Sequence, residues 1–280
     1  MNQERTLKLD FGIGRHYSPS ATENFLHCPV YWGLKKLYVP RTKSIRWEPN
    51  LLLGQVVHSG MEAWAQDHPD PEQVVTQRLE REYVLQSEWT LEALTSHAVK
   101  AFRVLRDAME AELAGVSTIL AAELELGETR LDLVTRGSSG VSVWDYKTSL
   151  SLRSDYVAKR QLETLHSWQA HHIAWAAREY YQEPGGIWVK IPLVAMTPRC
   201  KAWIDRWFMT DAMLDHWYES AKIVWEDMWR IENNLKSPHM NLRSCFKWGK
   251  WCEYGPFCHN CTGDATLATQ SLFDRVIRED

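Results

Sequence analysis

The chain has 280 residues, 45% hydrophobic and 24% charged, which is enough to bury a sizeable core. Its 36 acidic residues outnumber 32 Lys and Arg, giving a net charge of −4, and this disfavours a module that coats nucleic acid by charge alone. Mean hydropathy is −0.40, no apolar run approaches the roughly 20 residues of a membrane span, and the first residues do not resemble a secretory signal. We therefore expect a cytoplasmic protein without a membrane partner.

The first part of the chain is predicted to be helical. Residues 17–37 indicate a capped helix that begins at Ser18, Ser20 or Thr22. Apolar residues at helical spacing follow in three further segments, 54–67, 72–86 and 90–114.

The pattern changes to strands after Ser117. Three short apolar runs follow, and the Gly137–Gly140 segment predicts a hairpin turn between two of them. A helix over 158–181, two strands over 187–196 and 201–209, and a long helix from about residue 210 to 235 complete the order. Such an order predicts an α/β or α+β fold with a mixed central sheet flanked by helices.

Acidic residues mark two of the predicted strands. Asp132 lies in the middle of one strand, and Asp145 and Lys147 lie at the end of the next. Because side chains alternate across a strand, Asp145 and Lys147 project from one face, and the hairpin would bring Asp132 close to them. Glu123 and Glu125 share a face of the preceding strand, and either can add a third carboxylate.

Two carboxylates and a lysine at a strand end suit phosphodiester hydrolysis. Carboxylates hold Mg²⁺ or Mn²⁺, which prefer oxygen ligands, and the lysine can orient or deprotonate water or offset charge on the phosphate. The alternative is structural: Asp132 and Asp145 would be strand-end residues that form surface ion pairs with Lys147 and Arg130.

The same residues resemble the PD-(D/E)XK nuclease superfamily. Asp132 and the Asp145-x-Lys147 motif, with a hairpin between them, match its core, although Leu131 replaces the usual proline. Upstream, Gly54 and His58 match the G-x-x-x-H helix of RecB-like members.

The downstream motif of the family, Q-x-x-x-Y, is matched by Gln169, while Ile173 stands where the tyrosine is expected. The resemblance implies a restriction-endonuclease-like fold. It also implies a set of catalytic residues, Asp132, Asp145, Lys147 and Gln169, and a set of ligands for Mg²⁺ or Mn²⁺, His58, Asp132, Asp145 and Glu123. Taken without the resemblance, His58 would instead be a buried structural histidine.

The six cysteines are unevenly distributed: Cys28, Cys200, Cys245, Cys252, Cys258 and Cys261. Four of them lie between residues 245 and 261, and in a cytosolic chain this crowding predicts a metal site before it predicts disulfides. Zinc could take all four. A [4Fe–4S] cluster could instead take three, with a fourth cysteine from elsewhere.

The cysteine spacing is similar to that of RecB-like nucleases with a cluster and of the CRISPR-associated exonucleases of Cas family four. In these, one cysteine precedes the core and three follow it. Here Ser18-Pro19-Ser20 leads to Cys28-Pro29, and Cys252-x-Tyr254-x3-Cys258 matches the later pattern. The resemblance implies a [4Fe–4S] cluster on Cys28, Cys245, Cys252 and Cys258, with Cys261 as the alternative for one of them.

The sequence and the resemblance together predict a metal-dependent DNA nuclease, an exonuclease on DNA ends or single strands. Its context would be recombination, repair or CRISPR-type DNA processing, with a helicase or a recombination or integration protein as partner. We expect three parts: a helical region over 1–114 that contributes Cys28 and His58, a nuclease core over 115–209, and a C-terminal helix with the iron–sulfur segment over 210–280. A non-catalytic nucleic-acid-binding or scaffold subunit and a zinc-ribbon protein of unrelated function are the alternatives.

Overall fold

The computed structural model describes most of the chain in six long stretches, 17–40, 49–83, 90–114, 117–149, 167–195 and 199–239, and in short pieces at 159, 163–164, 241, 243, 246–247, 250–252, 254 and 273–275. The described residues divide into two compact units. The first lies between Trp47 and Tyr218, and the second combines residues of Asp10–Arg46 with residues of Glu219–Asp280. The three-part division expected from the sequence stays a prediction.

Helices and strands follow the predicted order, with additional short strands over 38–40, 246–247, 250–251 and 273–275 that the sequence did not predict. They are α1 (Pro19–His27), α2 (Pro29–Leu37), β1 (Tyr38–Pro40), α3 (Pro49–Ala65), α4 (Pro71–Glu82), α5 (Leu91–Leu113), β2 (Ser117–Leu126), β3 (Thr129–Gly137), β4 (Gly140–Trp144), β5 (Lys147–Ser149), α6 (Trp168–Tyr181), β6 (Gly186–Ala195), β7 (Lys201–Thr210), α7 (Asp211–Glu232), β8 (Phe246–Lys247), β9 (Lys250–Trp251) and β10 (Phe273–Arg275). None of the described helices combines the length and the apolar character needed to cross a membrane.

The first predicted helix is in fact two helices. Helix α1 ends at His27, and Cys28 has extended backbone angles (φ −164°, ψ 117°) before α2 begins at Pro29. A residue that precedes proline is disfavoured in helical geometry, because the proline ring collides with its backbone. Cys28 therefore lies at a bend between two helices.

The central sheet has the strand order β2-β3-β4-β6-β5, with β7 on β6 as well. Strands β2, β3 and β4 are antiparallel, and the hairpin turn between β3 and β4 lies at Ser138 and Ser139, as the sequence predicted. Strands β4 and β5 both pair in parallel with β6, while β7 is antiparallel to it. The expected mixed α/β fold, a mixed sheet flanked by helices, is confirmed.

Strands β4 and β5 follow one register along β6 but are interrupted at Asp145 and Tyr146. Ser142 pairs with Trp188 and Lys147 with Leu193, so the same offset would place Tyr146 opposite Pro192. The N–H of Asp145 still donates to the Lys190 carbonyl at 3.1 Å, but Pro192 has no N–H to donate in return, which accounts for the break. The interruption falls on the residues that carry the acidic motif.

Helices α3, α4 and α5 pack together and supply most of the main apolar core. Buried residues of these helices join Leu133, Trp144, Tyr146 and Val194 of the sheet region in one cluster. Gly60 of α3 marks a close approach: a Cβ atom there would lie 2.4 Å from Val75 Cγ2 and 2.8 Å from Phe102 Cδ2.

The second unit joins residues from distant parts of the chain. Trp225 Nε1 donates to Thr22 Oγ1 at 3.1 Å in a buried contact, and the Tyr17 hydroxyl donates to Glu232. Strand β1 pairs with β10, which lies more than two hundred residues later in the sequence. Helices α1 and α2 therefore belong with the later part of the chain.

Candidate active site

Three of the predicted catalytic residues meet where β4 gives way to β5. Asp132 lies on β3, Asp145 directly follows β4, and Lys147 is the first residue of β5. The backbone N–H of Tyr146 faces β3 and donates to Asp132 Oδ2 at 2.8 Å, which orients this carboxylate. The Tyr146 side chain packs into the apolar core, on the opposite side from Asp145 and Lys147.

Lys147, Asp145 and Gln169 form a closed set of contacts. Lys147 Nζ lies 2.9 Å from Asp145 Oδ1 and 2.7 Å from Oδ2, and it donates to Gln169 Oε1 at 3.2 Å. Gln169 Nε2 in turn lies 3.3 Å from Asp145 Oδ1. Gln169 is in the first turn of α6, which begins where Ser167 Oγ accepts from the N–H of Ala170. The start of α6 therefore positions the amide beside the lysine.

His58 reaches the site from α3. Its Nδ1 lies 3.6 Å from Asp132 Oδ2, and its ring meets that of Tyr146 edge to face at 5.6 Å. Burial lowers the pKa of His58, outweighing the negative charge of Asp145, so the imidazole is neutral at neutral pH. Gly54 lies one turn earlier, where a Cβ would be 3.0 Å from Thr148 Oγ1. The glycine of the G-x-x-x-H pattern thus lets the helix approach β5.

Glu123 on β2 lies opposite Asp132 on the neighbouring strand β3. The flanking pairs, Ala122 with Leu133 and Leu124 with Leu131, fix this position. Its backbone has a positive φ of 52°, which costs a non-glycine residue about 1–3 kcal/mol. The carboxylate pairs with Arg130 through one oxygen, and the other oxygen is buried without a hydrogen-bond partner.

Burial raises the pKa of the Glu123 carboxyl, although the Arg130 guanidinium opposes this shift. Glu125, by contrast, is exposed on the same strand. Of the two glutamates that the sequence left open, Glu123 is thus the one beside Asp132.

The carboxylates of the site repel one another. Burial, and then the charge of Asp145, raise the pKa of Asp132 to about 7. Within the described residues, no three or more His, Cys, Asp or Glu side chains are grouped closely enough to hold a metal ion. Asp145 contacts Lys147 with both oxygens instead. The carboxylate oxygens nevertheless suit Mg²⁺ or Mn²⁺, and a cation would relieve the repulsion. The neutral imidazole could add a nitrogen ligand.

A cavity of about 470 Å³ lies beside His58 and Lys147. Its lining includes His58 and Lys147 and also two arginines, Arg78 of α4 and Arg130 of β3. Arg130 was expected only as an ion-pair partner of the aspartates in the structural alternative, and no role was expected for Arg78. The sequence could have indicated that Arg130 lies at the site, because Arg130 precedes Asp132 by two residues on one strand and shares its face. No pattern in the sequence indicates Arg78, since only the packing of α4 on α3 brings its side chain to the cavity.

The cysteine prediction falls mostly outside the described residues. Cys28 is buried at the bend between α1 and α2, and its sulfur lies 3.5 Å from the backbone N of Asn241. Cys252, in the same unit, is half-buried. Cys245, Cys258 and the alternative ligand Cys261 lie outside the described residues. The cluster stays a prediction.

Comparison with known proteins identifies the class to which this fold and site belong. The family model of the PD-(D/E)XK nuclease superfamily matches residues 16–259, so the chain is a member of that superfamily. A crystal structure from Eubacterium rectale with the name “Putative exonuclease” is similar over 97% of this chain and 98% of that one, at 15% identity and a TM-score of 0.48. A comparison with curated proteins found no match.

Proposed function

We propose that the chain is a metal-dependent deoxyribonuclease, an exonuclease that acts on DNA ends or single strands. One observation carries this proposal: Asp132, Asp145 and Lys147 converge at the interrupted strand, with Gln169 completing the contacts of the lysine. A surface ion pair would need no buried second carboxylate, whereas Asp145 is 5% exposed and Asp132 is close enough for their charges to interact.

The metal ligands in this proposal are Asp132, Asp145, Glu123 and His58. Supporting this set are the mutual repulsion of two buried carboxylates, the unsatisfied oxygen of Glu123 and the neutral state of His58. A bound Mg²⁺ or Mn²⁺ would polarise the phosphodiester and lower the pKa of a water molecule.

Lys147 is the proposed catalytic cation. Asp145 and Gln169 hold its ammonium group beside the cavity, so it is fixed before a substrate arrives. A fixed positive charge stabilises the negative charge that develops on phosphate oxygens during hydrolysis, without reorganisation at that moment. The same N–H donors can orient the attacking water. Gln169 acts through Lys147 and is a positioning residue.

We further propose that Cys28, Cys245, Cys252 and Cys258 bind a [4Fe–4S] cluster in the second unit. The burial of Cys28 at a bend between helices, beside the backbone N–H of Asn241, is compatible with a sulfur ligand. The proposed biological context is recombination, repair or CRISPR-type DNA processing, with a helicase or a recombination or integration protein as partner. These statements rest on the resemblance in residue spacing.

Digestion of end-labelled DNA tests the catalytic proposal. Single- and double-stranded substrates are incubated with anaerobically purified protein in Mn²⁺ or in EDTA. We expect cleavage in Mn²⁺ only, and a loss of about 10³-fold in Lys147→Ala because a fixed charge is removed. Lys201→Ala is the matched control, since Lys201 is exposed at the start of β7.

The product pattern tests the finer proposal. Stepwise release of short products from a labelled end supports an exonuclease, while early internal cuts would replace it with an endonuclease. Binding of DNA without cleavage by iron-replete protein would favour the non-catalytic subunit. The replacement of the motif tyrosine by Ile173 supports that alternative.

A further inference from the structure

A second cavity adjoins the candidate active site. It has a volume of about 560 Å³ and is lined by residues from Ser59 to His68, at the end of α3 and just after it, and by residues of α4. Ser59 and Arg78 line both cavities, and the Arg78 guanidinium donates to the Ser59 hydroxyl. This pair therefore lies at the junction between the second cavity and the cavity that contains His58 and Lys147.

The second cavity is rich in hydrogen-bond donors. Two guanidinium groups, Arg78 and Arg81, and two amides, Gln66 and Gln77, line it, against the single carboxylate of Glu62. Guanidinium groups bind phosphate oxygens through paired N–H donors. Such a lining suits a ligand with spaced negative charges.

The two arginines share one acidic partner outside the lining. Glu82 Oε1 lies 3.0 Å from Arg78 Nε and 3.7 Å from Arg81 Nη2. A single carboxylate therefore faces two guanidinium groups. The Arg81 side chain is 76% exposed, so it can turn toward a ligand at little cost.

The length of the path agrees with a short stretch of a nucleic-acid strand. From His58 at the site to Gln66 in the second cavity, α3 and the turn that follows it advance eight residues, or about 12 Å at helical rise. Successive nucleotides advance by about 3.4 Å in a stacked strand, so this path spans three to four of them. Cavities of this size hold ligands of nucleotide dimensions.

We propose that the second cavity binds the phosphate backbone of a single DNA strand, three to four nucleotides from the bond that is cleaved. Helix α4 runs back along α3, with Val75 beside Gly60 and Arg78 beside Ser59. Arg78 and Arg81 therefore contact phosphates near the junction of the cavities, and Gln66 contacts the distal part of the strand. This inference rests on the proposed nuclease function and assigns the substrate strand a direction along α3. The neighbouring carboxylate of Glu62 repels anions, so the cavity does not bind every anion equally.

The test measures binding separately from cleavage. Fluorescence anisotropy in Ca²⁺ gives the Kd of labelled single strands of about ten nucleotides and of a dinucleotide, over a range of salt. For Arg81→Gln we expect a Kd about three- to tenfold weaker with the longer strand, and a salt slope smaller by about 0.7, the value for one lost phosphate contact. The dinucleotide cannot reach Gln66, so Gln66→Ala should weaken binding of the longer strand and leave the Kd of the dinucleotide unchanged.

Arg103→Gln is the matched control, because Arg103 is an exposed arginine of α5 that pairs with Glu72 and lines neither cavity. Arg81→Lys should retain the salt slope, since it keeps the charge. Equal effects of Arg81→Gln and Arg103→Gln, or an equal effect of Gln66→Ala on both strand lengths, would overturn the strand path while leaving the nuclease proposal intact. Length-dependent binding by a protein that cleaves nothing would keep the path and overturn the nuclease.

Discussion

The candidate active site and the cysteine region are stabilised in different ways. In the first unit, three helices and the sheet bury a continuous apolar cluster, and the acidic residues lie at the edge of that cluster. In the second unit, contacts join residues far apart in sequence: Asn241 donates to the carbonyl oxygen of His27 at 2.9 Å, and Tyr31 meets Tyr254 edge to face at 5.3 Å.

The two sites also differ in how their residues are brought together. Asp132, Asp145 and Lys147 are spaced by a hairpin and a strand, so local register brings them together. The proposed cluster ligands Cys28 and Cys252 are separated by most of the chain. A ligand set of that kind is brought together by the whole fold or by the metal itself.

Replacing Asp132 should have the largest effect, and it should act in opposite directions on activity and on stability. Asp132→Asn removes a proposed metal ligand, so we expect cleavage to fall by about 10³-fold or more. Its amide oxygen can still accept from Tyr146, and the repulsion with Asp145 disappears. We therefore expect Tm at pH 8 to rise by about 3–6 °C, measured by circular dichroism without metal.

The stability of the folded protein should depend on pH through Asp132. A folded pKa of about 7, above the ordinary value of 3.8, means that the folded state holds this proton more tightly than the unfolded state. Wild-type stability should therefore fall as pH rises from about 4 to about 7, and the gain in Asp132→Asn should shrink toward pH 4. Asp107→Asn, at an exposed position on α5, is the control. A gain that does not vary with pH would contradict the shift.

The cysteine region is tested by iron content. We expect Cys28→Ser to lose the iron and the visible absorbance of anaerobically purified protein, and to lower Tm, because a cluster that joins distant parts of the chain restricts the unfolded state. Cys200→Ser, in the first unit, should retain both. Zinc in place of iron in the wild type would favour the zinc alternative.

The apolar packing of the first unit is tested at Gly60. The Cβ atom of Gly60→Ala would collide with Val75 and Phe102, both fully buried, so we expect a loss of about 1–3 kcal/mol in the free energy of unfolding. Gly33 of α2 provides the matched substitution in the second unit, since a Cβ there would meet nothing within 4 Å. Gly33→Ala should stabilise by up to about 1 kcal/mol. Urea titration measures both, and similar losses at the two glycines would contradict this difference between the units.

Gln169 should have the smallest of these effects. Gln169→Ala leaves the Lys147–Asp145 ion pair in place but removes a contact of each partner, so we expect kcat to fall by about tenfold with little change in KM. Gln169→Glu keeps the acceptor for Lys147 but places a second negative charge beside Asp145, so it should not restore kcat. A rise in KM alone would indicate a DNA contact instead.

Much of the fold and of the acidic site follows from local patterns in the sequence. The hairpin turn at Ser138 and Ser139 and the shared face of Asp145 and Lys147 need only strand alternation and turn composition. The bend at Cys28 could also have been predicted, although one helix was expected there, since Pro29 disfavours a continuous helix.

Other features depend on pairing between distant segments. The interruption at Asp145 and Tyr146 arises from Pro192 on β6, and the sequence near Asp145 carries no sign of it. The entry of Arg78 into the cavity likewise depends on the packing of α4 on α3.

The contact between Thr22 and Trp225, 203 residues apart, has a consequence during biosynthesis. Proteins emerge from the ribosome with the amino terminus first, and compact units tend to fold as they emerge. The described residues of the first unit are complete once Tyr218 has appeared, while α1 and α2 still lack their later partners. During this interval Phe25 and Trp32, buried in the finished protein, are available to chaperones and proteases. A messenger RNA truncated after the codon for residue 218 would thus yield a chain whose first helices expose apolar residues to chaperones and proteases.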